Sequence, residues 1–133
     1  MEHVTKTRVR YADTDQMGRV HHSKYFEYFE IGRTEYMRAA GFSYAAMEDE
    51  GFLLVLVDVG ATYKGSVGYD AEIAIKTRVK DLSNAQVTFC YSVADNEDRV
   101  LCEGWTKLAC VGRDGKLKRI PENVRNVLKG DRQ

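Results

Sequence analysis

The stretch YADTDQMGRVHHSKY, residues 11–25, decides how the rest of the chain is read. Asp13 and Asp15 precede Gly18, then come Val20, His21, His22 and Ser23, and from there the pattern turns helical. Carboxylates and a glycine turn therefore sit just ahead of a helix N-terminus. The first backbone N–H groups there lack partners, and the helix dipole favours negative charge. A base beside ready-made oxyanion donors suits acyl transfer.

The pattern predicts one long helix from about Ser23 to Ala40, with Ser23 as N-cap and Gly41 just past its end. Glu27, Glu30, Thr34 and Arg38 form a narrow polar stripe. Tyr25, Phe26, Phe29, Gly32, Tyr36, Met37 and Ala40 fill a broad apolar face, so the helix must be covered over much of its circumference. Gly32 at mid-helix costs about 1 kcal/mol against alanine, which close approach of another element would explain. Residues 43–50 suit a short second helix.

The remainder reads as sheet. Val4 to Tyr11 alternates as a short leading strand. Phe52 to Lys64 is so apolar that it suits a strand buried on both faces, or a long bent one. Ile73, Ile75, Thr77 and Val79 share one face of a strand, and Val87, Phe89, Tyr91 and Val93 repeat that pattern in the next. Val100 to Val111 follows, and the Asp114-Gly115 pair marks a hairpin. Short links between these strands imply antiparallel pairing, and Pro121 opens a terminal helix over about 122–129. The fold class is α+β, one domain over 1–133, with a curved antiparallel sheet wrapped around one helix. The sheet's other face needs cover, and a partner subunit would supply it.

Composition narrows the classes of function. Twenty basic and twenty acidic residues balance, so charge gives no case for a nucleic-acid or membrane partner. No apolar run is long enough for a membrane span, and the polar N-terminus does not read as a signal peptide. The odd count of three cysteines falls on predicted strands without metal-type spacing, which suits buried thiols in a reducing, cytoplasmic setting.

The residues of the opening stretch allow more than one reading. Asp13 and Asp15 could both be turn residues bonding nearby N–H groups, or one could be a general base or nucleophile. A metal set of Asp13, Asp15, His21 and His22 is weak, because adjacent histidines rarely point the same way. An aspartyl-phosphate role for Asp-x-Asp needs a parallel doubly wound sheet, which the hairpin links oppose. The basic residues Lys64, Lys76, Arg78, Lys80, Lys107 and Arg113 suit a solvated sheet face, or a clamp if the ligand carries phosphates.

Tyr11-x-Asp-Thr-Asp15-x-x-Gly18-x-Val20-x-His22-x-x-Tyr25, followed by the aromatic helix with Arg33-Thr34-Glu35 and later Tyr69-Asp70, resembles the hotdog-fold acyl-CoA thioesterases of the 4-hydroxybenzoyl-CoA thioesterase-like group. The Tol–Pal-associated type looks most similar. The resemblance implies acyl-CoA as substrate and Asp15 as the catalytic carboxylate, either nucleophile or general base. It implies that the His22 backbone N–H polarises the thioester carbonyl, and that Tyr11, Gly18, Val20 and Tyr25 are substrate-binding positions. It further implies no cofactor, no metal, and sites between the subunits of a homodimer or homotetramer. Members often carry a proline-containing turn before the Tyr-Asp pair, where this chain has Lys64-Gly65-Ser66-Val67-Gly68. Hotdog dehydratases place an aspartate and a histidine four residues apart, which Asp15 and the two histidines do not match. A non-catalytic acyl-CoA or acyl-carrier binding module on the same fold is the alternative.

Overall fold

Strict alternation along two strands becomes strict alternation of burial. In β3 (Glu72–Leu82) Ile73, Ile75, Thr77 and Val79 point inward, and in β4 (Gln86–Asp95) Val87, Phe89, Tyr91 and Val93 do so. The computed structural model describes residues 2–131. Its five strands, completed by β1 (His3–Arg8), β2 (Leu53–Tyr63) and β5 (Val100–Val111), form one antiparallel sheet in the order β1-β3-β4-β5-β2.

The long helix α1 (Lys24–Ala39) lies on the inner face and buries Tyr25, Tyr28, Phe29, Gly32, Tyr36 and Met37. Phe29 stacks on Tyr91 with ring centroids 4.5 Å apart, and Tyr36 meets Phe89 edge-on at 5.6 Å. The close approach expected at Gly32 is present. A Cβ there would lie 2.5 Å from Thr77 Oγ1 and 2.7 Å from Ile75 Cγ2. Phe26 departs from the expected apolar face. It is 37% exposed and meets the Phe29 ring edge-on, while Tyr28 takes the buried place.

Both ends of α1 have identifiable causes. Gly41 adopts φ 95°, and the Phe42 and Gly41 N–H groups donate back to the carbonyls of Met37 and Arg38 at 2.9 and 3.0 Å, a Schellman closure. The Ser23 side chain does not cap the N-terminus as expected. Ser23 is itself helical in φ and ψ, and its hydroxyl bonds His21 Nδ1 at 2.8 Å. The short α2 (Tyr44–Asp49) is capped by Ser43, which accepts the Ala46 N–H.

Two strands differ from expectation. The leading strand ends at Arg8 rather than Tyr11, because residues 11–13 close into a 3-10 turn. β2 is not buried on both faces. It is a long edge strand with a register shift between Leu56 and Asp58, and Val55, Leu56 and Val57 are exposed. The Asp114-Gly115 turn forms, with Gly115 at φ 80° and an isolated bridge from Val111 to Leu117. Pro121 then precedes α3 (Glu122–Asp131), which buries Val124 and Leu128. No helix among the described residues is long and apolar enough to cross a membrane.

Candidate active site

The path from β1 to α1 is built in two steps. The first is a lock. Asp13 is 1% exposed. Its carboxylate accepts the Arg10 N–H at 3.0 Å, the Arg10 guanidinium at 2.9 Å and the Tyr28 hydroxyl at 3.0 Å. Burial on its own would raise the Asp13 carboxyl, but the bonds from Arg10 and Tyr28 outweigh it and hold the group below the usual carboxylate range. The Asp13 carbonyl in turn accepts the His21 N–H at 2.8 Å, so the same residue ties the start of the loop to its end.

The second step is a hairpin. Thr14 bridges Val20, and the Asp15 N–H donates to the Arg19 carbonyl at 2.7 Å. Residues 16–18 make the loop between them, and Gly18 takes the left-handed φ of 77° that a three-residue hairpin needs at this place. Asp15 Oδ1 accepts the N–H groups of Met17 at 2.9 Å and Arg19 at 3.2 Å. Among the described residues nothing bonds Oδ2, and Asp15 is exposed. The two aspartates therefore divide the roles that spacing left open: Asp13 is a buried structural carboxylate, and Asp15 presents a free oxygen at the surface.

The metal set of Asp13, Asp15, His21 and His22 is not assembled among the described residues. Asp13 is turned to Arg10 and Tyr28, and His21 Nδ1 is taken by Ser23, whose N–H and hydroxyl both reach it.

At the helix start the His21 carbonyl accepts the Lys24 N–H at 2.9 Å. In a trans peptide the following N–H points the opposite way. The His22 N–H is thus directed away from the helix body, and no acceptor for it occurs among the described residues. The His22 ring is exposed, lies 4.1 Å from the His21 ring between centroids, and meets Tyr63 edge-on at 6.3 Å.

The expected substrate-binding positions scatter in depth. Tyr11 is 78% exposed and sits edge-on to Tyr69 at 5.8 Å. Val20 is buried, and its N–H donates to the Val67 carbonyl at 3.0 Å. That bond, with the Arg19–Gly68 bridge, ties the loop that replaces the proline turn to the Asp15 hairpin. Tyr25 is in the core beneath the helix start, its ring between Tyr28 and Tyr63 and its hydroxyl without a partner. Burial pushes the Tyr25 phenol up to about 12. Tyr63 and Tyr28 carry bonds that the sequence reading missed, since neither lies within the spacing of the opening motif. Tyr63's place at the end of an apolar run was the one signal for it, and Tyr28 fell outside the expected apolar face of the helix.

Residues 9–128 match the Thioesterase-like superfamily. The chain belongs to that superfamily. Among its relatives is the acyl-CoA thioesterase YbgC of Haemophilus influenzae, 31% identical over 89% of this chain and 88% of that protein. The crystal structure of a hypothetical protein from Thermus thermophilus superposes with a TM-score of 0.92, at 36% identity and 98% coverage of both chains. A DHNA-CoA thioesterase from Staphylococcus aureus superposes with a TM-score of 0.86, at 33% identity over 89% of this chain and 80% of that one. The hotdog architecture of this superfamily member is the helix-on-sheet packing described above.

Proposed function

We propose that the protein hydrolyses acyl-CoA thioesters, with Asp15 as nucleophile or as general base for water, and with the His22 backbone N–H polarising the thioester carbonyl. The observation that carries this reading is that the one segment leading into α1 carries two unspent groups: a free Asp15 oxygen in its hairpin and, at the helix start, an outward His22 N–H without an acceptor among the described residues. Membership of the Thioesterase-like superfamily and the acyl-CoA thioesters named for its relatives supply the substrate class. Coenzyme A is a good leaving group, so a polarised carbonyl and a carboxylate suffice, and the helix dipole adds to the oxyanion donors.

The working unit in this reading is a homodimer. The loop that carries Asp15 exposes Tyr11 at 78% and Met17 at 86%, and Tyr69, edge-on to Tyr11, is 63% exposed, an apolar surface too open to exclude water from a reaction. The edge strand β2 presents exposed Val55, Leu56 and Val57 along an unpaired backbone, which a second copy can cover.

The test is thiol release over a panel of acyl-CoAs, aromatic and aliphatic from short to long, with Asp15→Asn beside the wild type. Turnover by the wild type that falls at least about 100-fold in Asp15→Asn is the expected result. Near-normal turnover by the variant removes Asp15 from the chemistry. Acyl-CoA binding without turnover by either protein points to a binding module instead.

A further inference from the structure

Tyr63, the last residue of β2, reaches across to the start of α1. Its hydroxyl donates to the His22 carbonyl oxygen at 3.2 Å, and its ring lies edge-on to Tyr25 at 5.7 Å between centroids. The helix itself serves this carbonyl poorly. The Tyr25 N–H approaches it only to 3.4 Å, and the Phe26 N–H goes to the Ser23 carbonyl at 3.3 Å. The tightened first turn therefore gives the His22 oxygen one long bond, and the phenol supplies its second and shorter one. Held by that long bond alone, the carbonyl would leave the negative end of a peptide dipole loosely fixed beside donors that must face a developing oxyanion.

We infer that Tyr63 is a positioning residue for thioester hydrolysis, resting on the reading above: its hydroxyl fixes the His22–Ser23 peptide and, through the shared His22 Cα, the direction of the His22 N–H. Tyr63 acts through the backbone, since its proton is already committed to His22. An ordinary phenol, with a pKa of about 10, already keeps that proton at working pH, and burial with Cys102 nearby raises it further. The arrangement also ties the helix start to the edge strand, so a partner seated on β2 would steady both.

Tyr63→Phe removes the hydroxyl and keeps the ring. The expected result is a fall in kcat of about tenfold, the scale of one neutral hydrogen bond. KM should stay within about twofold, because ground-state binding is untouched. Amide exchange followed by NMR should quicken at Tyr25 and Phe26 and stay unchanged in β4. Wild-type kcat overturns the inference. So does a raised KM at constant kcat, which would mean direct contact with substrate. A lowered melting temperature with faster exchange throughout the sheet also overturns it, as the mark of a general structural role. If the wild type hydrolyses none of the panel, the thioesterase reading itself falls. Exchange at Tyr25 and Phe26 then still decides whether Tyr63 holds the helix start, and unchanged exchange there rejects it.

Discussion

The Asp13 carboxylate accepts the Tyr28 hydroxyl at 3.0 Å inside the core, while Asp15, two positions on, turns its free oxygen outward. One loop thus carries a carboxylate that holds the fold and a carboxylate open to a ligand. The first locks the second in place, because Asp13 also fixes the Arg10 guanidinium and, through its carbonyl, His21.

Asp13→Asn tests the lock. The amide keeps the shape but sets an N–H against the donors of Arg10 and Tyr28, and hydrogen bonds to charged groups contribute about 1.5–3 kcal/mol. A stability loss of about 2 kcal/mol at pH 7 is expected from urea unfolding midpoints. The pH dependence has a fixed sign. The folded carboxyl lies below its unfolded value, so its stabilisation is complete above the unfolded pKa of about 3.9 and fades as pH falls through the folded one. The gap between wild type and variant should narrow steadily below about pH 4. A gap that stays constant to low pH would show that the charge is not what stabilises.

The His22 proposal concerns the backbone, and two substitutions separate it from the side chain. His22→Ala keeps the N–H, and kcat should stay within about tenfold of wild type, since the imidazole is exposed and bonds nothing essential. His22→Pro deletes the N–H two positions before the first helical residue, where no hydrogen bond among the described residues is lost. Loss of one oxyanion donor is worth about 2.7–4 kcal/mol, so kcat should fall about 100- to 1000-fold in a protein whose circular dichroism is unchanged. Equal damage from both variants would assign the role to the imidazole.

Much of this was readable from residues alone, and the limits have physical causes. The inward faces of β3 and β4 followed from alternation, since a half-buried strand leaves a period of two. The Gly41 closure and the Gly32 contact followed from where glycine is needed. The length of β2 was legible, but its outward face escaped because a run of apolar residues looks the same whether the chain's own core buries it or it lies at the surface. The roles of Asp13 and Asp15 escaped because Asp-x-Asp spacing does not say which carboxylate turns inward. Arg10 and Tyr28 decide that, and Tyr28 is fifteen positions away. Ser23 reads as a cap by residue type, yet the neighbouring His21 ring captures its hydroxyl.

Gly32→Ala puts two terms in opposition. Helix propensity alone would favour alanine by about 1 kcal/mol. The added methyl would meet Thr77 Oγ1 at 2.5 Å and Ile75 Cγ2 at 2.7 Å, both in the buried sheet, and overpacking of this kind costs about 1–3 kcal/mol. A lowered melting temperature is expected. Adding Thr77→Ala should restore part of the loss, because the Thr77 hydroxyl is buried without a hydrogen-bond partner and its removal leaves nothing unpaired. The Ile75 contact keeps the recovery incomplete. A stabilised Gly32→Ala would mean that helix and sheet do not approach this closely.

The thiols should be quiet in the folded protein. Cys102 and Cys110 are 0% exposed, and burial pushes the Cys102 thiol up to about 11 and raises Cys110 and Cys90 as well. A thiol-reactive dye at pH 7.5 should therefore label at most Cys90 in the native state and all three after unfolding. Rapid native labelling of Cys102 would show that the strand beside Tyr25 and Tyr63 opens readily.

The edge strand carries the last prediction. Leu56 is 52% exposed on β2, which closes one end of the sheet with β5 as its one hydrogen-bonded neighbour strand among the described residues. Natural proteins keep such edges from pairing with charge, particularly lysine, so Leu56→Lys should block a second copy while removing little from the protomer's own core. The expected outcome is a shift in sedimentation from an oligomer to the 15.1 kDa protomer, with far-ultraviolet circular dichroism unchanged. Thioesterase activity should fall with the oligomer, because the open surface around Asp15 and His22 would lose its cover. Raising protein concentration should restore both together, as mass action requires. A Leu56→Lys protein that is monomeric yet fully active would place the whole reaction within one protomer and remove the partner from the site.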